Sequence, residues 1–246
     1  MAERPRTVVI VQSCYIPWKG YFDLMHSADL FVIYDDVQYT RRDWRNRNRI
    51  KTRDGMQWLT IPVEVKGHYH SPIREIRVSD ADWGSRHLAR LRHAYARAPF
   101  LDAYASVLED LYRKTDTTLL SEINYRFLST LARMLSIATP LTWSHDYRLV
   151  EGRTERLLDL CLQTGARRYL SGPSARAYLD EGLFKREGID VVYADYSGYP
   201  EYPQLFPPFD HGVSILDLLL NVGPDAPRYM KSFGHGRPLI TVDAER

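Results

Sequence analysis

The fold of this chain follows from the stretch VVIVQSCYIPWKGYFDLMHSADLFVIYDDVQYTRRDWRNRNRIK, which runs from Val8 to Lys51. The apolar runs Thr7–Val11 and Leu30–Tyr34 each end at polar residues, as strands buried on both faces of a parallel sheet do. Between them, a proline and a glycine make a turn before an amphipathic segment, Tyr21–Ser27, that we expect to be helical. The stretch therefore predicts a β-α-β unit.

Polar residues follow both predicted strands. Gln12 follows the first, and Asp35 and Asp36 follow the second. Ligands of open α/β sheets bind beyond the carboxyl ends of the strands, so we take these three residues as the candidate catalytic residues. The carboxylates have three interpretations: a turn that ends the strand, ligands of a divalent metal, or contacts to substrate hydroxyls or amines. No partner set with metal-ligand spacing accompanies them, and we expect no metal site.

The densest positive run of the chain is TRRDWRNRNRIKTR, residues Thr40–Arg53. It is typical either of a solvated face or of a site for an anionic group such as a phosphate or carboxylate. Single-stranded RNA fits the same residue types, because arginine and aromatic rings stack on bases. If the run is extended, alternate residues point to opposite sides. One side then carries Arg45, Arg47 and Arg49, and the other carries Trp44, Asn46 and Asn48.

Composition narrows the class of protein. The 246 residues are 44% hydrophobic, enough for one α/β core with or without a helical subdomain. The 33 basic and 31 acidic residues are too balanced for a protein that coats nucleic acid non-specifically. No apolar run approaches the roughly 20 residues that cross a bilayer, so we expect a cytoplasmic protein without a membrane partner. Two cysteines, Cys14 and Cys161, are too few for a disulfide framework.

The middle of the chain changes from strand to helix periodicity. Gln57–Val65 alternates apolar and polar residues and predicts a strand, with Ile73–Val78 as its partner. His68 and His70 between them are too few for a zinc site, so we interpret this segment as a loop. From Trp83 to Ile137 the apolar period is helical, which predicts a helical subdomain or inserted layer.

A second β-α-β pattern follows. Its predicted strands are Leu141–Trp143, Arg168–Ser171 and Ile189–Tyr193, and its predicted helices are Thr154–Gln163, Ala175–Lys185 and Val213–Asn221. Ser171 and Gly172 precede a predicted helix, where backbone N–H groups either bind an anion or are simply capped. Tyr202 and Gln204 belong to a proline-rich aromatic loop that either forms a pocket wall or serves packing alone.

These elements predict an α/β fold, a mostly parallel Rossmann-like three-layer sheet with an inserted or appended helical subdomain. We expect one domain over residues 1–246. Residues 7–80 would form an N-terminal β-rich part, 83–137 the helical subdomain and 141–228 the second α/β half.

The chain resembles the WbqC-like protein family over nearly its whole length, through QSCYIPWKGYFDLMHSADLFVIYDDVQYTRRDWRNRNRIK, WLTIPV, YLSGPSARAYLD and SILDLLLNVG. The resemblance implies a biosynthetic role, because the family is associated with bacterial cell-surface polysaccharide and specialised-metabolite gene sets, but it supplies no reaction. The matching positions are Gln12, Tyr15, Pro17, Gly20, Tyr21, Phe22, Asp35, Asp36, Gln38, Trp44, Asn46, Arg47, Asn48, Lys51, Ser171, Gly172, Tyr178, Gln204, Asp217 and Asn221.

Two features bear on the chemistry that the resemblance implies. Ser13 and Cys14 stand where a Gln-Pro pair is expected, which argues against Cys14 as a nucleophile common to the family. The turn from Pro17 to His26 is similar to the nucleotide-binding turn of cytidylyltransferases and pantoate–β-alanine ligase. Ser27-Ala28 replaces the glycine and histidine of that signature, so adenylation and nucleotidylation stay open alternatives.

We therefore expect a transferase or amide-forming ligase that acts on a sugar or a nucleotide-linked amino sugar. Asp35 or Asp36 would orient or deprotonate the acceptor. The candidate substrate-binding residues are Tyr15, Gly20, Tyr21, Gln38, Trp44, Asn46, Arg47, Asn48, Lys51, Ser171, Gly172, Tyr202 and Gln204.

The partners are less defined than the site. We expect a small anionic substrate, and the donor is open between a nucleotide and an activated acyl or aminoacyl group, with tRNA as a candidate carrier. The alternative function is a non-catalytic module that binds nucleic acid or anions. The enzyme hypothesis depends on the carboxylate pair and the arginine run facing one cavity.

Overall fold

The computed structural model describes residues 6–64, 66–67, 70–234 and 239–240. The strands are β1 Thr7–Val11, β2 Leu30–Ile33, β3 Arg47–Thr52, β4 Gly55–Thr60, β5 Leu141–Trp143, β6 Arg168–Ser171 and β7 Asp190–Tyr193. The α-helices are α1 Lys19–His26, α2 Trp83–Ala94, α3 Leu101–Arg113, α4 Leu120–Met134, α5 Arg153–Gln163, α6 Glu181–Arg186 and α7 Ile215–Val222. Short 3-10 helices lie at Ile73–Glu75, Ser144–Asp146, Pro173–Ala177 and Gly223–Tyr229. The prediction for His68 lies outside the described residues.

The main sheet has five parallel strands in the order β5-β2-β1-β6-β7. Its two faces belong to separate cores, because Val9 and Phe31 pack on one side and Val8 and Val32 on the other. This confirms the predicted Rossmann-like α/β fold, with the sheet as the middle layer. The chain moves outward from β1 to β2 and β5 and then returns to β6, so the strand order reverses between β1 and β6. Open α/β sheets bind their ligands at such a point.

The helices α2, α3 and α4 confirm the helical periodicity of the middle of the chain. Their apolar faces, including Leu91, Leu111 and Phe127, join the same core as Val9 and Phe31 of the sheet. The helical layer and the sheet are therefore stabilised by one continuous apolar core. No helix in the described part of the chain combines the length and apolar character required to span a membrane.

The predicted pairing of Gln57–Val65 with Ile73–Val78 is wrong. The basic segment β3 is the partner of β4, and the two form a separate antiparallel hairpin. Ile73–Glu75 is a 3-10 helix, and only an isolated bridge joins Val63 to Val78. The physical reason is that the backbone N–H groups of Arg74 and Ile73 donate to the backbone carbonyls of Asp35 and Val37. These bonds hold the segment against the loop after β2 instead.

The predicted helix Ala175–Lys185 is interrupted. A 3-10 helix, Pro173–Ala177, precedes it, and α6 begins only after Asp180, whose carboxylate accepts a hydrogen bond from the Gly182 N–H (2.9 Å). At the start of α5, the Thr154 hydroxyl, which the sequence offers as a helix cap, has a different role. Gly152 precedes that helix, while the Thr154 hydroxyl accepts the Asp180 N–H at 3.4 Å.

Candidate functional site

A cavity of about 350 Å³ lies beyond the carboxyl end of β1. Three backbone hydrogen bonds hold its walls together: Tyr15 N to Trp44 O (3.1 Å), Ser214 N to Arg49 O (2.9 Å) and Ile215 N to Pro17 O (2.8 Å). The loop after β1, the β3–β4 hairpin and the start of α7 are therefore one rigid frame. The described lining residues are Cys14, Pro17, Trp18, Tyr21, Trp44, Asn48, Arg49 and Gly212.

Arg49 is the cation of this cavity. Its Nε atom is buried and has no hydrogen-bond partner among the described residues. Gly212 makes room for the guanidinium, because a Cβ atom at that position would lie 2.3 Å from Nη2 of Arg49. A partly buried guanidinium whose Nε lacks a described partner favours binding of a phosphate or carboxylate, which satisfies that donor and the charge together.

Two exposed tryptophans stand beside Arg49. Trp44 and Trp58 are 41% and 39% exposed, and their ring centroids are 5.4 Å apart. The Arg47 guanidinium lies 4.2 Å from the Trp58 ring centroid, and that of Arg49 lies 6.0 Å from Trp44 and 5.8 Å from Trp58. We call these four residues the tryptophan platform.

The predicted alternation of the basic run is only partly correct. Arg47 and Arg49 do point to one side, whereas Asn46 and Asn48 point inward and are buried. Arg45 and Trp44 depart from the pattern because the strand begins only at Arg47. The exposed Trp44 ring lies beside Arg49 instead of with the buried asparagines. Arg45 is 8% exposed, and its guanidinium donates to the Ser13 carbonyl at 3.1 Å.

The two asparagines fix the backbone around the cavity. Asn46 donates its amide to the Ile61 carbonyl (2.8 Å). Asn48 donates to the Tyr15 carbonyl (3.2 Å) and accepts the Arg49 N–H (2.8 Å), while it also lines the cavity. Asn48 thus joins the hairpin to the loop after β1 directly at the site.

Asp35 and Asp36 point to different places. Asp35 is fully buried, and it accepts the Ser13 N–H (2.8 Å) and the Ser121 hydroxyl. Burial raises the pKa of the Asp35 carboxyl, although hydrogen bonds from Ser121 and Ser13 oppose the shift. Asp35 thus positions the Ser13 backbone next to the cavity without lining it.

Asp36 does not line a cavity itself, but it contacts Arg74 and His145, which belong to the described lining of a second, larger concavity of about 840 Å³. The Asp36 carboxylate is 2.7 Å from Nε of Arg74 and 3.8 Å from Nδ1 of His145, and it accepts the Ser144 hydroxyl. The expectation that the carboxylate pair and the arginines face one cavity is therefore wrong. The reason is that adjacent residues leave β2 in opposite directions.

The thiol in the cavity is not activated. Burial raises the pKa of Cys14 to about 11, and the opposing effect of Arg45 is smaller. His26 does not serve as its base, because His26 stacks on Phe233 and bonds to the Ser232 hydroxyl (3.0 Å). The neighbouring Tyr21 hydroxyl donates to the carbonyl oxygen of Gln12 (3.0 Å), which brings the end of β1 to the cavity wall.

Three predicted binding residues belong instead to a buried network next to the hairpin. Lys51 donates to the side-chain amide oxygen of Gln204 at 2.8 Å. The Gln204 side-chain NH₂ and the Tyr202 hydroxyl both donate to the Asp217 carboxylate (3.0 and 2.7 Å). Tyr95 donates to the other carboxylate oxygen of Asp217 (2.8 Å). The network fixes the loop around Gln204 to β3 and α7, and none of these residues lines the cavity.

Tyr15 and Gly20 have structural positions too. The Tyr15 hydroxyl is buried within 2.9 Å of Nδ1 of His87 and 2.8 Å of the Tyr112 hydroxyl. Gly20 allows the Trp18 ring to lie against α1, since a Cβ atom there would be 2.3 Å from that ring.

The remaining predicted residues lie around the cavity rather than in it. Ser171 ends β6, and Gly172 lies near the Tyr196 hydroxyl, which belongs to the ring that contacts Trp18 at 5.0 Å between centroids. Gln38 is exposed and forms an isolated bridge with Pro72.

Sequence reasoning missed Trp18, Trp58 and Gly212 as parts of the site. A signal existed for Trp58, because β3 and β4 form a hairpin that places it opposite Arg49. No sequence signal places Gly212 against Arg49, since the contact joins segments far apart in the chain. Among the described residues, no group of three His, Cys, Asp or Glu side chains is arranged to hold a metal ion.

Comparison with known proteins gives one family and one relative. The model of the WbqC-like protein family matches residues 12–229. The chain is 50% identical over 226 residues to Rv1507c, an uncharacterised protein of Mycobacterium tuberculosis (strain ATCC 25618 / H37Rv), and the match covers 92% of this chain and 98% of that protein. No solved structure matches the chain.

Proposed function

The chain belongs to the WbqC-like protein family, and from that premise we propose that it is a biosynthetic group-transfer enzyme, a transferase or amide-forming ligase. Its substrate is a sugar or a nucleotide-linked amino sugar with an anionic group. The family's association with cell-surface polysaccharide and specialised-metabolite gene sets supports this choice of substrate. The parallel sheet supports the location of the site, because the cavity lies beyond the carboxyl end of a central strand.

The proposal no longer depends on a cavity shared by the carboxylate pair and the arginines, and one observation carries it. The Arg49 guanidinium lines the cavity with a buried Nε atom that lacks a partner among the described residues. A buried polar group without a partner costs free energy, and among the atoms of this kind in the described residues, Arg49 Nε is the one whose residue lines the cavity, where a ligand would satisfy it. A phosphate or carboxylate is the complementary ligand.

The predicted catalytic residues take distinct parts in this proposal. Asp35 acts as a positioning residue for the loop after β1, through the Ser13 N–H (2.8 Å). Gln12, after the end of that strand, and Asp36, which pairs with Arg74 at the wall of the second concavity, are the candidates for orienting the amine or hydroxyl of the acceptor.

Thermal shift and calorimetry on the full chain test the proposal, with pyrophosphate, sugar phosphates, nucleoside diphosphates and nucleotide sugars as ligands. Hydrogen bonds to a charged group contribute about 1.5–3 kcal/mol, so Arg49→Gln is expected to weaken binding roughly 10- to 150-fold. Arg133→Gln, which changes an exposed arginine on α4, is the control and keeps full affinity.

Gly212→Ala is a second test that leaves Arg49 in the chain. The added methyl would lie 2.3 Å from Nη2, so the flexible guanidinium has to move. We expect weaker anion binding with an unchanged melting temperature. The proposal is wrong if no anion of the panel binds, or if Arg49→Gln and Gly212→Ala bind as the unchanged protein does. Loss of nucleotide-sugar turnover in these variants would support the enzyme.

The second candidate function is a non-catalytic module that binds single-stranded nucleic acid. The exposed pair Trp44 and Trp58, with Arg47 against one ring, favours it, because bases stack on such surfaces. Its signature is RNA affinity that falls steeply as salt concentration rises, together with no turnover of small substrates.

A further inference from the structure

We propose that the ligand of the cavity is a nucleotide, whose base stacks on Trp44 and Trp58 while its phosphates contact Arg49. This inference rests on the proposed function and names the substrate class of the same site. Trp44 and Arg49 both line the cavity, and Trp58 and Arg47 continue the same surface along the hairpin.

The hairpin places the platform by its register. Arg49 pairs with Trp58 across the two strands, and Arg47 pairs with Thr60. The side chains of these two cross-strand pairs therefore project from one face of the hairpin. Trp44 precedes β3, and its carbonyl oxygen is held by the Tyr15 N–H at 3.1 Å. The Trp44 ring is thus attached to backbone that is bonded to the loop after β1, and the Trp58 ring to a paired strand of the hairpin.

Folding does not explain the exposure of these rings. The opposite face of the hairpin supplies its apolar contacts, because Ile50 and Leu59 are 1% and 0% exposed. A single exposed aromatic residue needs no explanation, but two adjacent tryptophans that border a cavity form an apolar patch of the kind that binds ligands. Their flat faces suit another flat ring.

The charges around the rings favour a nucleotide over a neutral saccharide. Cations lie within 6.0 Å of both rings, at Arg47 and Arg49, and the described cavity lining contains no carboxylate. The nearest carboxylate in the sequence, Asp43, accepts the Trp44 N–H (2.7 Å) and lies 3.7 Å from Arg45. Recognition of sugar hydroxyls would use such acceptors, whereas a base needs ring faces and its phosphates need cations.

Asn48 adds a constraint on the phosphate end. Its side chain links the Tyr15 carbonyl to the Arg49 N–H (3.2 and 2.8 Å), so the backbone that carries the guanidinium is anchored where it meets the cavity. The two rings are 41% and 39% exposed, whereas Nε of Arg49 is buried. The arrangement therefore accommodates different bases, and we expect UDP and ADP to bind with similar affinity.

The experiment measures binding of UDP, ADP, ribose 5-phosphate and pyrophosphate to the full chain by calorimetry and tryptophan fluorescence. Stacking contributes about 1–3 kcal/mol per base, so we expect Trp58→Ala to weaken UDP binding roughly 5- to 150-fold and to leave pyrophosphate binding unchanged. Trp58→Phe retains a ring and is expected to bind UDP within about threefold of the unchanged protein.

The control is an equivalent pair elsewhere on the surface. Tyr178 is 41% exposed, and the Arg153 guanidinium lies 3.9 Å from its ring centroid. Tyr178→Ala is expected to leave UDP binding unchanged. Circular dichroism of each variant verifies that the fold is kept. Misfolding would weaken the binding of UDP and of pyrophosphate together, so weaker binding of UDP alone indicates the loss of base stacking.

The outcomes separate this inference from the proposed function. If pyrophosphate binds as tightly as UDP and Trp58→Ala changes neither, the base is not recognised and the inference falls, while the anion site stands. If no phosphate compound binds, this inference and the proposed function are both wrong. An eight-residue oligouridylate that binds a hundred times more tightly than UDP would identify a nucleic-acid surface and overturn the inference.

Discussion

Asp35 and Asp36 show how two adjacent identical residues acquire different roles. Asp35 is enclosed by the Ser13 backbone and Ser121, whereas Asp36 pairs with Arg74, whose side chain is 45% exposed. Burial raises the pKa of Asp35, and the guanidinium of Arg45, which donates to the Ser13 carbonyl, opposes that shift. Removing Asp35 therefore leaves buried donors without an acceptor, whereas removing Asp36 leaves a partly exposed arginine without its partner.

The first prediction concerns Asp35→Ala. The substitution leaves the buried Ser13 N–H and the buried Ser121 hydroxyl without their acceptor, and each buried polar group left unsatisfied costs about 1–3 kcal/mol. We expect these costs to appear as a loss in the free energy of unfolding, measured by urea denaturation. Asp36→Ala is the matched control and is expected to lose only ~1 kcal/mol, because Arg74 reaches water. Equal losses in the two variants would contradict this account.

Among the elements, α2 and α3 are in close contact at Gly84. A Cβ atom at this position would lie 2.1 Å from the Tyr112 carbonyl oxygen, which is backbone and has no flexible end to move. Gly84 is therefore needed for helix contact rather than for a backbone turn. The contact also holds Tyr112, whose hydroxyl bonds to that of Tyr15 at 2.8 Å.

The second prediction concerns this contact. Gly84→Ala forces α2 away from α3, and overpacking of this kind costs about 1–3 kcal/mol. Ser85→Ala, at the next and exposed position of the same helix, is the control and should change the melting temperature little or raise it slightly. A Gly84→Ala variant as stable as Ser85→Ala would show that the two helices have room to separate.

At the scale of the whole molecule, one hydrogen-bond chain joins the parts of the fold. Tyr112 on α3, Tyr15 after β1, His87 on α2 and Thr60 on β4 follow one another at 2.8, 2.9 and 3.1 Å. His87 Nε2 donates to the Thr60 carbonyl, so its Nδ1 accepts the Tyr15 hydroxyl in the neutral ring. Burial lowers the pKa of His87 to about 4.

The third prediction is a pH dependence of stability. The unfolded chain has a His87 pKa of about 6.5, so between pH 6.5 and 4 it binds more protons than the folded chain. Stability is then fully present above pH 6.5 and falls by ~3 kcal/mol as pH drops to 4. His87→Gln is expected to remove this slope from urea denaturation curves, whereas His93→Gln, exposed on the same helix, should keep it. An unchanged slope in His87→Gln would assign the pH dependence to other groups.

Apolar periodicity determined much of the fold. It predicted the parallel strands, the β-α-β order and the helical middle of the chain, because these patterns depend on neighbours in the sequence. It also predicted correctly that Asn46 and Asn48 share one side of the basic strand and Arg47 and Arg49 the other. Family membership likewise follows from the sequence, since the family pattern matches residues 12–229.

Only the tertiary structure decided where the charges go. It turned Arg45 inward, separated Asp35 from Asp36, gave β4 the basic strand as its partner and placed Gly212 against Arg49. Each of these outcomes depends on contacts between segments distant in the chain, and burial of one charge decides which neighbour must pair with it. A sequence states which groups are present, but the desolvation and pairing that assign their roles arise only when the core closes.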